Sequence, residues 1–290
     1  MSRCGIVVLA GLPNVGKSSL MNALICEPLA IVSPKPQTTR APVRGLLTEG
    51  DTQIIFADPA GLLDPAYPLQ AAMLRAAVRS IEDADVILHL HPLSESPAPP
   101  LASLLPVDAR PHASPLTVYT KADLVAPERA SAVRSGELVV SAATGKGLSE
   151  LLVEVRSRLP EGPFLYDADD IGTQPLRFFA AEFVREAAYA ELEQELPYSL
   201  AVEIDEFREG ASPVYIRATI AVERESQKPI VLGRGGRTIK AIGTAARGRL
   251  EAFLGQRVRL ELWVTVWPKW RKDPQALARL GLPLTKEPNP

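Results

Sequence analysis

The chain has few cysteines, few histidines and no long apolar run. Its 290 residues include two cysteines, Cys4 and Cys26, which form no disulfide framework, so we expect reduced thiols in a cytoplasmic protein. No run of eighteen apolar residues occurs, which excludes a membrane-spanning helix. The apolar run near the N-terminus leads directly into a motif, and we expect no cleavable signal peptide. The histidines form no ligand set with the cysteines, so no metal site of that kind is expected.

The small net charge of −2 hides a strong asymmetry. Between Lys228 and Lys272 the chain carries eleven Lys and Arg against two acidic residues, Glu251 and Glu261, so this segment has a charge of +9 and the rest of the chain −11. Such a basic segment favours a polyanionic partner. The same charges also fit a solvated face without a partner, and charge alone does not decide between the two.

The length of the chain suits two domains, and 46% apolar residues are enough for a core in each. In the first half, apolar runs of strand length alternate with helical segments, which predicts an α/β domain with a mostly parallel sheet. In the second half, a helix, two strands, a basic helix and a last strand predict a smaller α+β domain. We place the domains at 1–163 and 175–273, with a linker at 164–174 and a loosely held polar tail at 274–290.

A phosphate-binding motif, GLPNVGKS, follows the first predicted strand and precedes a predicted helix. Its glycines let successive N–H groups point at phosphate oxygens, and the helix N-terminus adds positive charge. Lys17 would reach the β- and γ-phosphates and the Ser18 hydroxyl would bind Mg²⁺. The alternative is a strand–turn–helix without a ligand. The phosphate-binding residues predicted in this loop are Gly11, Asn14, Val15, Gly16, Lys17, Ser18 and Ser19.

Two further stretches provide a second carboxylate near the metal and a γ-phosphate sensor. Asp58 ends the next strand and can hold the Mg²⁺ water shell, while the N–H of Gly61 can meet the γ-phosphate. The pattern D-x-x-G is weak alone, and its position after the second strand strengthens it. Upstream, the polar loop SPKPQTTR supplies a switch threonine on the metal side, for which Thr39 is preferred and Thr38 is the alternative. The predicted metal ligands are Ser18, Thr39 and Asp58.

The stretches TKAD and SAA follow later strands and are typical of a guanine-reading site. An aspartate carboxylate accepts from both N1–H and N2–H₂ of guanine, and each such charged hydrogen bond contributes about 1.5–3 kcal/mol. Adenine lacks that pair of donors and would leave the carboxylate unpaired. The stem of Lys121 can lie along the base, and the SAA backbone can meet O6. The predicted guanine-binding residues are Thr120, Lys121, Asp123, Ser141, Ala142 and Ala143.

These motifs, together with FFAAEFVRE, IVLGRGGRTIKAIGTAAR and LELWVTVWPKWR in the second half, resemble the Era family of bacterial GTPases from Ile6 to Arg271. The resemblance implies a Ras-like P-loop GTPase domain followed by a type II KH domain, with GTP/GDP and Mg²⁺ as ligands. It also implies binding of 16S rRNA near its 3′ end and a role in assembly of the small (30S) ribosomal subunit. The family resemblance further implies a cytoplasmic monomer with weak peripheral association at the inner face of the cell membrane.

Three features depart from the family pattern. DPAG replaces the usual D-T-P-G, so Pro59 stiffens the switch backbone. TKAD replaces N-K-x-D, and Thr120 has a shorter side chain than the Asn that ties the base loop to the phosphate loop. We therefore expect guanine specificity to be kept by Asp123, with a weaker affinity. The proline-rich stretch 92–115 is also abbreviated, and we expect a loop around at most a short helix.

The residue after Gly61 is Leu62, where Ras-like enzymes place a catalytic Gln. No side chain at this position orients the water, so intrinsic turnover should be slow. No catalytic residue is firmly assigned, and Lys17 and Thr39 have supporting roles. Asn14 resembles the position that holds a potassium ion in related GTPases, which gives the hypothesis of K⁺-stimulated hydrolysis.

The loop GRGG lies before a basic helix, and in a KH domain this loop clamps backbone nucleotides. Taken alone, G-x-x-G also fits a turn between two helices. Ile239 and Ile242 are expected to line an apolar floor under the bases, and the aromatic and basic residues near the end of the domain to add stacking and phosphate contacts. Trp263 is expected in the core. The predicted RNA-binding residues are Gly233, Arg234, Gly235, Gly236, Arg237, Ile239, Lys240, Ile242, Arg247, Trp267, Lys269, Trp270, Arg271 and Lys272.

Two other functions fit parts of the sequence. A nucleotide-binding RNA adaptor with an impaired or inactive GTPase is motivated by the DPAG and TKAD departures. A P-loop kinase of small molecules would not need the KH half. The leading hypothesis is a GTP-binding, slowly GTP-hydrolysing switch that repositions its KH domain on rRNA.

Overall fold

The computed structural model of the chain describes residues 2–33, 35, 37–126, 133 and 136–282. The chain divides into two compact units, the first made of Met1–Ala66 with Gln70–Thr173 and the second of Tyr67–Leu69 with Gln174–Pro290. The described residues contain no helix that is long and apolar enough to cross a membrane.

The first unit contains a six-stranded sheet with helices packed against it, and the strand order is β2-β3-β1-β4-β5-β6. β2 pairs antiparallel with β3 and the other pairs are parallel, which confirms the predicted mostly parallel sheet. The strands are β1 (Arg3–Ala10), β2 (Val43–Glu49), β3 (Thr52–Asp58), β4 (Val86–Pro92), β5 (Pro115–Thr120) and β6 (Leu138–Val139). The helices are α1 (Lys17–Ile25), α2 (Pro68–Glu82) and α3 (Leu148–Arg158).

The central strands of this sheet are buried on both faces. Every residue of β3 and β4 is buried, as expected for parallel strands covered by helices on either side. Ala77 and Ile81 of α2 pack with Val8 of β1 and Ile87 of β4 in one core cluster. The ends of β1, β3 and β5 lead into the phosphate loop, the DPAG loop and the TKAD loop, so the rigid sheet positions all three loops at one edge.

The proline-rich stretch 92–115 between β4 and β5 forms only two short 3₁₀ helices, at Leu93–Glu95 and Leu101–Leu104. The segment predicted as a linker at 164–174 lies along the first unit. The side-chain oxygen of Gln53 accepts from the N–H groups of Leu165 and Tyr166, and Leu46 N–H donates to the carbonyl of Ile171. The first unit therefore extends to residue 173.

The second unit has the element order of a type II KH domain. Its three-stranded sheet has the order β7-β8-β9, with β7 and β8 antiparallel and β8 and β9 parallel. The strands are β7 (Ala201–Arg208), β8 (Val214–Val222) and β9 (Val258–Val266). The helices are α4 (Leu176–Glu191), α5 (Leu196–Ser199), α6 (Lys228–Leu232), α7 (Arg237–Leu254) and α8 (Pro274–Arg279). This unit confirms the predicted KH fold.

The start of the C-terminal tail is ordered, which corrects the prediction of a loosely held tail from residue 274. The Asp273 carboxylate accepts from the N–H of Gln275 and Pro274 occupies the first turn of α8, both common at the start of a helix. Leu277 is buried, and Arg279 forms an ion pair with Glu203 at 2.6 Å. Residues 283–290 lie outside the described part of the chain.

Candidate nucleotide site and nucleic-acid surface

The phosphate loop connects β1 to α1 and depends on its glycines. Gly16 precedes α1 with a φ of 98°, a backbone conformation that other residues rarely adopt. A Cβ on Gly11 would lie 2.6 Å from the carbonyl oxygen of Leu90, so only glycine fits there. The ammonium group of Lys17 donates to the carbonyl of Leu12 at 3.0 Å. Burial lowers the pKa of Lys17 to about 8, and the charge of Asp58 opposes that shift.

Three oxygen atoms converge beside this loop. The Ser18 hydroxyl donates to Asp58 Oδ2 at 2.5 Å, and the Thr39 hydroxyl lies 3.2 Å from Ser18 Oγ and 3.3 Å from Asp58 Oδ2. Asp58 Oδ1 is buried and has no hydrogen-bond partner among the described residues. Burial raises the pKa of the Asp58 carboxyl, and the charge of Lys17 and the two hydroxyls act in the opposite direction. The hydroxyl oxygens of Ser18 and Thr39 and the unpaired carboxylate oxygen of Asp58 are suitable ligands for a Mg²⁺ ion. The charge of that ion would compensate for the desolvation of the Asp58 carboxylate.

These contacts distinguish the two threonines that the sequence offered as the switch residue. The hydrogen bonds to Ser18 and Asp58 are made by Thr39 and not by Thr38. Thr38 lines the adjoining cavity, which has a volume of about 420 Å³ and is bounded by the phosphate loop, by residues 31–33 and 37–39, and by Gly61. The geometry favours Thr39 as the residue on the metal side.

The DPAG loop approaches the phosphate loop closely. A Cβ on Gly61 would lie 2.5 Å from the backbone nitrogen of Pro13, so this position has no room for a side chain. The N–H of Leu62 donates to the carbonyl of Gly11 at 3.0 Å, and the Leu62 side chain is buried in the core with Val8 and Ile87. Leu62 therefore points away from the phosphate cavity, in agreement with the absence of a water-orienting side chain.

Most of the residues predicted to read the base line a second cavity of about 170 Å³. The Thr120 hydroxyl donates to the carbonyl of Val15 at 2.6 Å, so the TKAD loop is tied to the phosphate loop despite the shorter side chain. The Ser141 hydroxyl donates to Asp123 Oδ1 at 2.5 Å, which orients that carboxylate. The structure thus brings together the base-reading residues that the sequence singled out, and the cavity is lined by Thr120, Lys121, Asp123, Ala142 and Ala143 among others.

In the second unit, the GRGG loop joins α6 to α7 and has an unusual backbone. Gly235 and Gly236 have φ values of 64° and 76°, and a Cβ on Gly233 would collide with Thr238. The side chain of Arg234 is exposed at the tip of the loop. Three more of the predicted basic residues are exposed along α7, namely Arg237, Lys240 and Arg247. A glycine loop with open backbone and a row of cations can approach a phosphate backbone closely.

Two predicted RNA contacts are wrong and one predicted core residue is exposed. Trp270 is 1% exposed and its indole N–H donates to the carbonyl of Ser199 at 2.8 Å, so it cannot stack on a base. Ile242 is fully buried in the domain core and is not a floor under the bases. Trp263, predicted as core, is 62% exposed. The alternation of Arg259, Glu261 and Trp263 with apolar residues along β9 was the signal that places Trp263 on the outer face.

The remaining residues near the end of this unit have different environments. Lys269 and Lys272 are exposed, whereas Arg271 is held in an ion pair with Glu223. Trp267 is half-buried under the guanidinium group of Arg279, 4.7 Å from the ring centroid. Lys269 and Lys272 are therefore better placed than Arg271 or Trp267 to meet a phosphate.

Replacement of the buried Trp270 and of the exposed Trp263 should affect the stability of the second unit differently. Trp270→Ala should lower the unfolding free energy of the second unit by about 3–5 kcal/mol, because it removes a buried indole and leaves a cavity. The matched control, Trp263→Ala, should change it by less than about 0.5 kcal/mol, because it alters the surface. Hydrogen exchange in β8 of the full chain reports this unit separately. Equal losses of protection in the two variants would contradict the assignment.

The fold and the site together define a P-loop GTPase joined to a KH-type RNA-binding domain. Residues 6–121 match the family described as 50S ribosome-binding GTPase, and residues 195–271 match the KH domain family. A curated GTPase Era from Afipia carboxidovorans is 42% identical over 99% of this chain and 96% of its own length. The chain belongs to the Era family of GTPases.

Two solved structures are similar to almost the whole chain. A variant of Aquifex aeolicus Era bound to GDP·AlF4⁻ is 36% identical, with a TM-score of 0.89, over 96% of this chain and 99% of its own. An Era structure in complex with MgGDPNP and nucleotides 1506–1542 of 16S ribosomal RNA is also 36% identical, with a TM-score of 0.89, over 97% of this chain and 99% of its own. The predicted family and fold class are therefore confirmed, and the protein is a GTPase.

Proposed function

We propose that this GTPase is a switch that binds the 3′ region of 16S rRNA through its KH unit and assists assembly of the small ribosomal subunit. The observation that carries the proposal is the solved Era complex, in which a protein of the same fold holds MgGDPNP and nucleotides 1506–1542 of 16S rRNA. Residues suited to each ligand are present here in the matching unit. The description of the GTPase family names the 50S subunit, but that match covers residues 6–121 only, whereas the rRNA complex resembles the whole chain.

The proposed nucleotide site combines the phosphate cavity and the adjoining cavity lined by Asp123. The N–H groups of the phosphate loop and Lys17 bind the phosphates, with Ser18, Thr39 and Asp58 as the residues that would hold Mg²⁺. When bound, Mg²⁺ neutralises charge on the phosphate oxygens. Lys17 is already charged below its lowered pKa and meets the phosphates without a further change of protonation near pH 7. Because Leu62 is buried in the core, no side chain from that position orients the attacking water, and slow intrinsic turnover follows.

In the second unit we propose that the GRGG loop clamps the RNA backbone. Arg234 is exposed between glycines that leave the backbone open, and this end of the chain carries the +9 segment. Ile239 is half-buried beside the loop and can contact a base. The proposed RNA-binding residues are Gly233, Arg234, Gly235, Gly236, Arg237, Ile239, Lys240, Arg247, Trp267, Lys269, Arg271 and Lys272.

Three parts of the proposal rest on the family resemblance. K⁺-stimulated hydrolysis is proposed because Asn14 lies in the phosphate loop with a φ of 62° and lines the phosphate cavity. Equal rates of GTP hydrolysis in Na⁺ and in K⁺ would contradict this K⁺ stimulation.

The other two parts concern oligomeric state and location. A monomeric cytoplasmic protein is proposed, and weak association with the inner face of the cell membrane stays a prediction.

Nucleotide selectivity at equilibrium tests the proposal directly. With Mg²⁺ present, GTP and GDP should bind at least about 100-fold more tightly than ATP and ADP, because adenine would leave the Asp123 carboxylate unpaired. Titrations of the full chain with fluorescent analogues, repeated with EDTA, measure both the selectivity and the metal dependence. Equal affinity for ADP and GDP would contradict a guanine site.

A further inference from the structure

The hydroxyl group of Thr120 has already used its only hydrogen. Thr120 ends β5 and is 4% exposed. Its Oγ1 lies 2.6 Å from the carbonyl oxygen of Val15 and 3.4 Å from that of His91, and both of these partners are acceptors. A hydroxyl has one O–H donor and otherwise only lone pairs. Because the short bond to Val15 takes that donor, Thr120 can only accept from any further group.

Thr120 nevertheless lies at the base cavity. It lines the cavity of about 170 Å³ together with Lys121 and Asp123. A Cβ added to Gly16 would lie 3.9 Å from both Cβ and Oγ1 of Thr120, so the side chain faces the backbone of the phosphate loop. The side chain thus fixes the position of the TKAD loop and leaves no donor directed at the ligand.

The edges of guanine differ in what they require. N1–H and N2–H₂ are donors, which the Asp123 carboxylate can accept, while O6 and N7 are acceptors that need a donor from the protein. Ala142 and Ala143 line the same cavity, and their backbone N–H groups are the donors that we expect to serve O6. The Thr120 hydroxyl has no donor left for N7, because its hydrogen is directed at the carbonyl of Val15. An asparagine amide at this position would carry two N–H donors, one for the carbonyl of Val15 and a second for the base.

We propose that this protein recognises guanine without a hydrogen bond to N7, so that 7-deazaguanine nucleotides are ligands as good as guanine nucleotides. The inference rests on the proposed guanine site and deepens it, because it states which atoms of the base the site reads. Thr120 acts as a positioning residue for the TKAD loop and, by lacking a free donor, sets the tolerance at N7.

The test compares equilibrium affinities of GDP and 7-deaza-GDP for the full chain with Mg²⁺. The wild-type protein should bind the two ligands within about twofold of each other. Thr120→Asn should gain a preference for GDP of about fivefold or more, the equivalent of one neutral hydrogen bond. Thr120→Val, which removes the bond to Val15 but keeps the shape, should weaken both ligands by the same factor.

Several outcomes would overturn the inference. These are a wild-type preference for GDP of fivefold or more, a Thr120→Val variant that loses affinity for GDP only, and a Thr120→Asn variant that binds both ligands equally. Binding of ADP by the same samples separates this inference from the proposed function. If GDP is preferred over ADP while 7-deaza-GDP binds poorly, only the N7 inference fails. If ADP binds as well as GDP, the guanine site itself fails, and the N7 inference with it.

Discussion

Replacement of Asp123 by Asn is expected to turn the preference of the protein from guanine to xanthine nucleotides. The carboxylate accepts from two donors of guanine, and each charged hydrogen bond contributes about 1.5–3 kcal/mol, so GDP affinity should fall by about 10²–10⁴-fold. The amide of asparagine presents an NH₂ group in place of one carboxylate oxygen, and one of its N–H groups can donate to the O2 acceptor of xanthine. The Ser141 hydroxyl, which donates to Asp123 at 2.5 Å, can hold the amide oxygen in the same place.

Titration of this variant with GDP and XDP, with Mg²⁺ present, measures the change. Asp169→Asn is a matched control, because Asp169 is an exposed acidic residue of the same unit and its replacement changes the charge equally. The control should keep the wild-type preference. If Asp123→Asn also kept its preference for GDP, Asp123 would not be the base reader.

The second large effect is expected for Arg234→Asp combined with Gly235→Asp. The double variant removes one cation and adds two anions at the tip of the GRGG loop, where a phosphate backbone is proposed to lie. A Cβ on Gly235 meets no atom within 4 Å, and aspartate tolerates its left-handed backbone, so the fold should persist. We expect RNA affinity to fall by about 100-fold or more, with GDP binding unchanged.

Fluorescence anisotropy with an oligonucleotide that matches the 3′ end of 16S rRNA measures this effect in the full chain. Arg208→Asp combined with Gly210→Asp is the matched control, because it makes the same charge change at the end of β7 in the same unit, and a Cβ on Gly210 meets no atom within 4 Å. The control should keep most of the affinity. Equal losses in the two double variants would show that total charge, and not the GRGG loop, governs binding.

The departures in DPAG and TKAD do not remove the geometry of the site. Thr120 still ties the TKAD loop to Val15, because a hydroxyl reaches that carbonyl at 2.6 Å without the extra length of an amide. On either side of Pro59, Asp58 lies 2.5 Å from the Ser18 hydroxyl and Gly61 lies directly against Pro13 of the phosphate loop. An inactive GTPase, the alternative that these departures suggested, therefore has no support from the arrangement of the residues.

The nucleotide site was predictable because its motifs have fixed spacing and lie at strand ends. The choice between Thr38 and Thr39 was not, since both carry a hydroxyl and only the path of the loop brings Thr39 to Ser18. Weaker nucleotide binding was expected because the side chain of Thr120 is shorter than that of asparagine. The distance from Thr120 to Val15 also depends on how closely the TKAD loop approaches the phosphate loop, which side-chain length does not reveal.

The second unit was less predictable for its aromatic residues. Trp263 lies between two apolar residues and Trp270 between two basic ones, yet Trp263 is exposed by strand alternation while Trp270 is buried, where its indole N–H donates to the carbonyl of Ser199. The order of α8 depends on burial of Leu277 and on the pairing of Arg279 with Glu203, a residue 76 positions away. Contacts of that range leave no local signal in the sequence.

Single-turnover hydrolysis of GTP by the full chain, with and without the rRNA 3′-end oligonucleotide, tests the central claim most directly. The account predicts slow release of phosphate that requires Mg²⁺, is lost in Asp58→Ala, and is measurable with the wild-type protein in at least one of the two conditions. Absence of phosphate release in both conditions, with GTP bound, would contradict a GTPase switch and leave a nucleotide-binding RNA adaptor.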